Sequence, residues 1–144
     1  MDPARRYEIA IRARSILEQA HDSFMEAVKQ LTYQEGSPHK LHVEDNELVV
    51  DCLGVRLSAK HRLLVRDGDL MGIEYKYCAR LKDEDVEVWK MYVDSDNYIF
   101  EDALFKETIC QATNKYLADR IIPRIGVALL KSPVFAQANE IAHS

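Results

Sequence analysis

Apolar and polar positions alternate with a period of two over most of the stretch from Lys40 to Phe100, and short, largely acidic tips interrupt the alternation. The tips are Glu44-Asp45-Asn46-Glu47, Asp67-Gly68-Asp69, Lys82-Asp83-Glu84-Asp85 and Asp94-Ser95-Asp96-Asn97. Each separates segments rich in Val, Leu, Ile, Tyr and Trp, as the turns of an antiparallel meander do. Leu41 and Val43 begin the pattern, and Leu48, Val50 and Cys52 then alternate with Val49, Asp51 and Leu53. Gly54 lies inside a pattern that runs on through Val55 and Leu57, so it is either a bulge in one long strand or a tight break between two. Five or six strands are expected on that basis. Ile73, Tyr75, Tyr77, Ala79 and Leu81 share one face of the strand after the Asp67-Gly68 hairpin signal, with Glu74, Lys76, Cys78 and Arg80 on the other. In the following strand Val86, Val88, Lys90 and Tyr92 oppose Glu87, Trp89, Met91 and Val93.

The period changes to that of a helix on either side of the meander. Ile9, Ala13, Ile16, Ala20, Phe24, Ala27 and Leu31 recur at three- and four-residue steps, with Leu17 and Val28 on a flanking row. This predicts an amphipathic helix of about seven turns. Asp2 and Pro3 supply its start, a capping carboxylate and a ring preset for the first turn, while Gly36, Ser37 and Pro38 stop it. After the meander, Asp102 is the expected N-cap of a second helix that places Phe105, Ile109, Ala112, Tyr116 and Leu117 on one side. Pro123 kinks or interrupts it. Ile121, Ile122, Ile125, Val127, Leu129 and Leu130 form a segment that has to be buried, in the core or against a partner.

The expected architecture is therefore α+β: a long N-terminal helix, an antiparallel sheet of five to six strands in meander order, and a C-terminal helix kinked near Pro123. Both helices cover one sheet face. Residues 1–131 make a single domain, and 132–144 a weakly helical or disordered tail. By the alternation above, the uncovered face contains Cys78, Trp89, Met91 and Val93, more apolar than water favours.

Composition narrows the function classes. The chain has 144 residues, 47% of them hydrophobic and 30% charged, enough for one core and too few for two ordinary domains. A formal charge of −5 disfavours general binding to nucleic acid. No stretch reaches the length and apolarity of a membrane span, and Met1 to Glu8 carries no apolar signal core, so a cytoplasmic address and no membrane partner are expected. Cys52, Cys78 and Cys110 are odd in number and set among apolar neighbours, which suits buried free thiols.

No catalytic, cofactor-binding or metal-binding signature rises out of the sequence. Asp94-Ser95-Asp96-Asn97 opens like a calcium loop, but Tyr98 and Ile99 fall where a ligand and a glycine are needed, leaving a solvated turn. His21, His39, His42, His61 and His143 are scattered without zinc-ligand spacing, and the five glycines form no phosphate-binding loop. The remaining candidates are surfaces. Trp89, Met91, Ile122, Ile125 and Leu129 are nominated as an apolar interface, with Arg5, Arg12 and Arg14 as its charged rim. The reading that follows is a non-enzymatic interaction protein, a small acidic chaperone, an inhibitor or immunity-type protein, or an adaptor, acting as a homodimer or with a protein partner. The alternative is a small-molecule pocket protein or small enzyme whose cavity between sheet and helices is lined by Tyr75, Tyr77, Tyr92 and Tyr98.

Overall fold

A computed structural model of the chain describes residues 2–31 and 36–138. The expected tail beyond Ala138, with His143, lies outside those residues. Helix α1 spans Pro3–Lys29, and seven strands follow: β1 Lys40–Glu44, β2 Glu47–Cys52, β3 Val55–Arg66, β4 Asp69–Leu81, β5 Glu84–Val93, β6 Tyr98–Phe100 and β7 Thr108–Gln111. Helix α2, Leu117–Leu130, comes last. The strands form one antiparallel sheet in sequence order. The α+β meander between two helices is as expected, with seven strands in place of five to six.

The extra strands have local causes. Leu53 and Gly54 both adopt positive φ, 53° and 75°, so Gly54 marks a two-residue turn between β2 and β3 and not a bulge. Asp45-Asn46, Asp67-Gly68 and Lys82-Asp83 are also two-residue connections with positive φ at both positions. This geometry matches the right-handed twist of the strands it joins, so four such hairpins in succession curl the sheet steadily. Asp102 does cap backbone amides, accepting from Lys106 N at 2.9 Å and Glu107 N at 2.8 Å, but it caps a loop. The predicted helix over 105–116 gives way to β7, since Phe105 takes φ 58° and Thr108 to Gln111 pair with β6. Helix α2 starts after Asn114, whose Oδ1 accepts from Tyr116 N, and continues through Pro123.

The curled sheet wraps its own C-terminal helix. Helix α2 touches β1 and β2 at one end of the sheet and β5 and β7 at the other, while α1 lies across β1 and β4. Leu117, Ile121, Ile125 and Leu129 are fully buried between them. Gly126 faces β2, where an added Cβ would stand in ordinary contact with Cys52 Sγ at 3.5 Å. Beyond α2, Ser132 is buried with its hydroxyl donating to Leu129 O at 2.8 Å, and Val134 and Phe135 pack against the core.

The uncovered face is charged, a correction to the apolar face expected from strict alternation. The register of β4 on β5 shifts between Tyr77 and Cys78: Tyr77 pairs with Trp89, Cys78 with Glu87, and Val88 is the extra residue. That bulge inverts the phase of β5. Trp89, Met91 and Val93 therefore lie on the covered face beside Tyr77, Tyr75 and Ile73. Of the residues assigned to the open face, Cys78 remains there. Its neighbours are a row of Lys60, Lys76 and Lys90 in register on three strands, and Glu74, which accepts from Arg62 Nε at 2.7 Å and lies 3.9 Å from Lys90 Nζ.

Because Ile125 and Leu129 plug the curled sheet, Ile125→Ala and Leu129→Ala are each expected to cost about 2–5 kcal/mol, while Ile9→Ala on the exposed helix surface stays within about 0.5 kcal/mol. Urea denaturation monitored by far-UV circular dichroism measures all three.

Candidate functional site

The sequence of α1 divides it into two unequal halves. From Leu17 onward Leu17, Ala20, Phe24, Met25 and Val28 are buried on the sheet, but between Pro3 and Ile16 no residue is buried. Tyr7, Ile9, Ile11 and Ile16 in that outer half are exposed by 70%, 42%, 51% and 51%. The predicted stripe holds in the inner half, where Ala20 and Phe24 are core, and fails in the outer half. Leu17 and Val28, assigned to its flank, are core, and Ile9 and Ile16 face outward.

A groove of about 670 Å³ separates this outer half from the tip of the β3–β4 hairpin. Its helix wall is Pro3, Arg6, Tyr7, Ile9, Ala10 and Ala13, and its hairpin wall is Gly68, Asp69, Leu70 and Met71. Ala10 and Ala13 continue the helical row that Leu17 and Phe24 occupy farther along, so the groove opens where that row drops from large side chains to methyl groups. Arg6 spans it, donating from Nη2 to Asp67 O at 3.2 Å. Gly68, at φ 83°, leaves room for that guanidinium, since a Cβ there would collide with Arg6 Nη2.

The two walls of the groove differ in charge: the hairpin tip carries Asp67 and Asp69, and the helix wall is basic. Residues 3–16 carry four arginines against one carboxylate, Glu8. Arg14 pairs with Glu18 at 2.9 Å. Arg5 and Arg12 make no ion pair among the described residues, and each stands one helical turn from an exposed isoleucine, Arg5 from Ile9 and Arg12 from Ile16.

The structure distributes the nominated residues differently from the expectation. Met91, Ile125 and Leu129 are fully buried, and Trp89 and Ile122 are half-buried, Trp89 with its ring 5.6 Å from that of Tyr77. These five side chains pack within the fold and form no outward patch. The four tyrosines of the expected pocket are not gathered either. Tyr75 and Tyr77 point into the core, Tyr92 lies on the opposite sheet face beside Glu74, and Tyr98 is 40% exposed on β6.

A second cluster joins the inner half of α1 to the sheet. The rings of His21 and His61 stack with centroids 3.8 Å apart and planes 17° from parallel, and His21 Nδ1 lies 2.8 Å from the Tyr75 hydroxyl. Burial pushes the pKa of the Tyr75 hydroxyl far above its ordinary range. Which partner donates in its bond to His21 Nδ1 is set by the imidazole tautomer. Two cavities flank the stack. One, of about 280 Å³, is lined by Leu17, Glu18, His21, Asp22, His61, Leu63 and Ile73; the other, about 150 Å³, lies between the stack, Met25, Leu48 and Tyr75. Neither histidine was distinguishable in the sequence, where they stand on different elements with no motif around them. Among the described residues no group of three or more His, Cys, Asp or Glu is placed to hold a metal ion, and no helix is long and apolar enough to cross a membrane.

Burial lowers the His21 pKa below the ordinary 6.5, the neighbouring His61 lowers it further, and Asp22 opposes both. The folded protein thus holds His21 neutral where the unfolded chain protonates it. Stability from this source is complete above pH 6.5 and is lost as the pH falls through the lowered folded value. His61→Gln removes the like-charge neighbour, so its stability is expected to fall less steeply between about pH 7 and 5 than that of the natural chain. Tyr75→Phe, which deletes one hydrogen bond, is expected to cost about 0.5–1.5 kcal/mol at neutral pH. Thermal melts across that range check both. Compared with known proteins, the chain matches no family model, no curated protein and no solved structure.

Proposed function

We propose that the chain is a non-enzymatic protein-interaction module of the chaperone, inhibitor or adaptor kind, engaging a protein through the outer half of α1 and the tip of the β3–β4 hairpin. One observation carries this reading: the helix between Pro3 and Ile16 has no buried residue yet displays four large apolar side chains. A helical segment of this length gains little from propensity alone, and its apolar surface is the kind that a second molecule covers. The core does not compete for that role, since α2 and both ends of the sheet already satisfy one another.

A small-ligand reading rests on a separate feature, the cavities of about 280 and 150 Å³ beside His21 and His61. Their modest size makes it the second choice.

A photo-crosslinking residue at Ile9, with Val127 on α2 as an equally exposed control, tests the interaction reading in the source cells. A discrete higher-mass adduct at Ile9 and none at Val127 is expected. No adduct at Ile9, or equal adducts at both positions, sinks it.

A further inference from the structure

We infer that the stacked His21–His61 pair is an acid-sensitive latch, which holds the inner half of α1 on the sheet and loosens that helix ahead of the rest of the fold once both rings are protonated. The two rings stand on different elements, His21 on α1 and His61 on β3, so their contact spans the seam between helix and sheet. With centroids 3.8 Å apart, two neutral imidazoles lie in van der Waals contact. Two imidazolium rings at the same separation repel, and the half-buried setting of His21 screens them less than open water does. His21 also stands one helical turn from Leu17 and from Met25, both buried, so the charge enters in the middle of the apolar contact. The cavities of about 280 and 150 Å³ on either side of the stack leave the rings room to part and water room to enter.

The groups around the pair do not offset the added charge. On α1, Glu18 is engaged by Arg14 at 2.9 Å, which leaves Asp22 to favour the charged rings. Glu47, at the start of β2, lines the smaller cavity. Asp22 and Glu47 are both exposed, so water weakens their attraction, and at His21 burial and the neighbouring ring outweigh it. From β4 comes Tyr75, whose neutral hydroxyl accepts from a protonated His21 as well as it donates to a neutral one, so that hydrogen bond survives. On β1 the histidine faces away: His42 alternates with buried Leu41 and lies 2.8 Å from Asp51. Loosening falls on α1 because α2 already joins both ends of the sheet, whereas α1 lies across β1 and β4. Its attachment is the row Leu17, Ala20, Phe24, Met25 and Val28, with Arg6 and His21 as polar ties to Asp67 O and Tyr75. The latch stands independently of the interaction reading.

The test is native-state hydrogen exchange on the full chain at about pH 7.5 and about pH 5.5, corrected for intrinsic rates and repeated in low urea. Amides from Leu17 to Val28 are expected to exchange through an opening of lower protection and shallower urea dependence than those of β3 to β5, which marks release of the helix short of global unfolding. Their protection is expected to fall about fivefold or more on acidification of the natural chain, and less than about twofold in His61→Gln and in His21→Gln. His42→Gln, which removes the histidine on the opposite sheet face, is expected to retain the full acid response. Circular dichroism verifies the fold of each variant, and His61 is exposed, so its replacement is compatible with folding. A single protection and urea dependence shared by α1 and β3 to β5 overturns the latch, because the helix then opens only with the whole fold. So does an acid response that survives in both His61→Gln and His21→Gln, or one that disappears in His42→Gln.

Discussion

Everything in this fold depends on α2 filling the hollow of a sheet that curls around it. A seven-stranded meander whose first five strands are joined by two-residue turns with left-handed residue pairs twists continuously, so that one helix reaches strands at both its ends. The hollow they enclose has to be filled with apolar volume. Leu117, Ile121, Ile125 and Leu129 do this from a single helix, touching strands at both ends of the sheet. At about 1.5–3 kcal/mol for each fully buried side chain, these four rank among the main contributions to the stability of the domain.

That closure decides which apolar surface is left over. The segment from Ile121 to Leu130 looks unmatched in sequence because nothing local explains so many aliphatic residues near a chain end. Once inside the curl its inward row is spent, with Val127 and Leu130 outside at 53% and 58% exposure. Helix α1 is in the opposite position. It extends past the strands it packs on, so its inner half is core and its outer half, with the same amphipathic character, has only a hairpin tip beside it. The groove results from this overhang together with two alanines.

The two sheet faces follow from one inserted residue. Strict alternation along β5 puts Trp89 and Met91 in water; the bulge at Val88 returns them to the aromatic core with Tyr75 and Tyr77. The opposite face then carries cross-strand charges, including the Lys60, Lys76 and Lys90 row, whose mutual repulsion is offset by Asp85, 3.0 Å from Lys60, and by Glu74 and Glu87, 3.9 and 3.5 Å from Lys90. Such a bulge has no strong local signature, since Glu87-Val88-Trp89 contains neither glycine nor proline. The same limit hid the histidine pair: His21 and His61 meet because α1 crosses the sheet at that point, a relation between elements forty residues apart in sequence.

By itself the sequence determined the class of the fold, the long N-terminal helix with its Asp2-Pro3 start, the meander order and the positions of the acidic turns. These are local properties, set by side-chain period, capping chemistry and the conformations that Gly, Asn and Asp tolerate. It also marked Arg5 and Arg12 as a basic stripe, because seven-residue spacing on a helix is legible without a partner. Tertiary structure alone decided which apolar residues are core and which are surface. That choice depends on strand phase across a bulge, on the overhang of one helix and on the closing of a curled sheet around another, and each is settled by packing between distant segments.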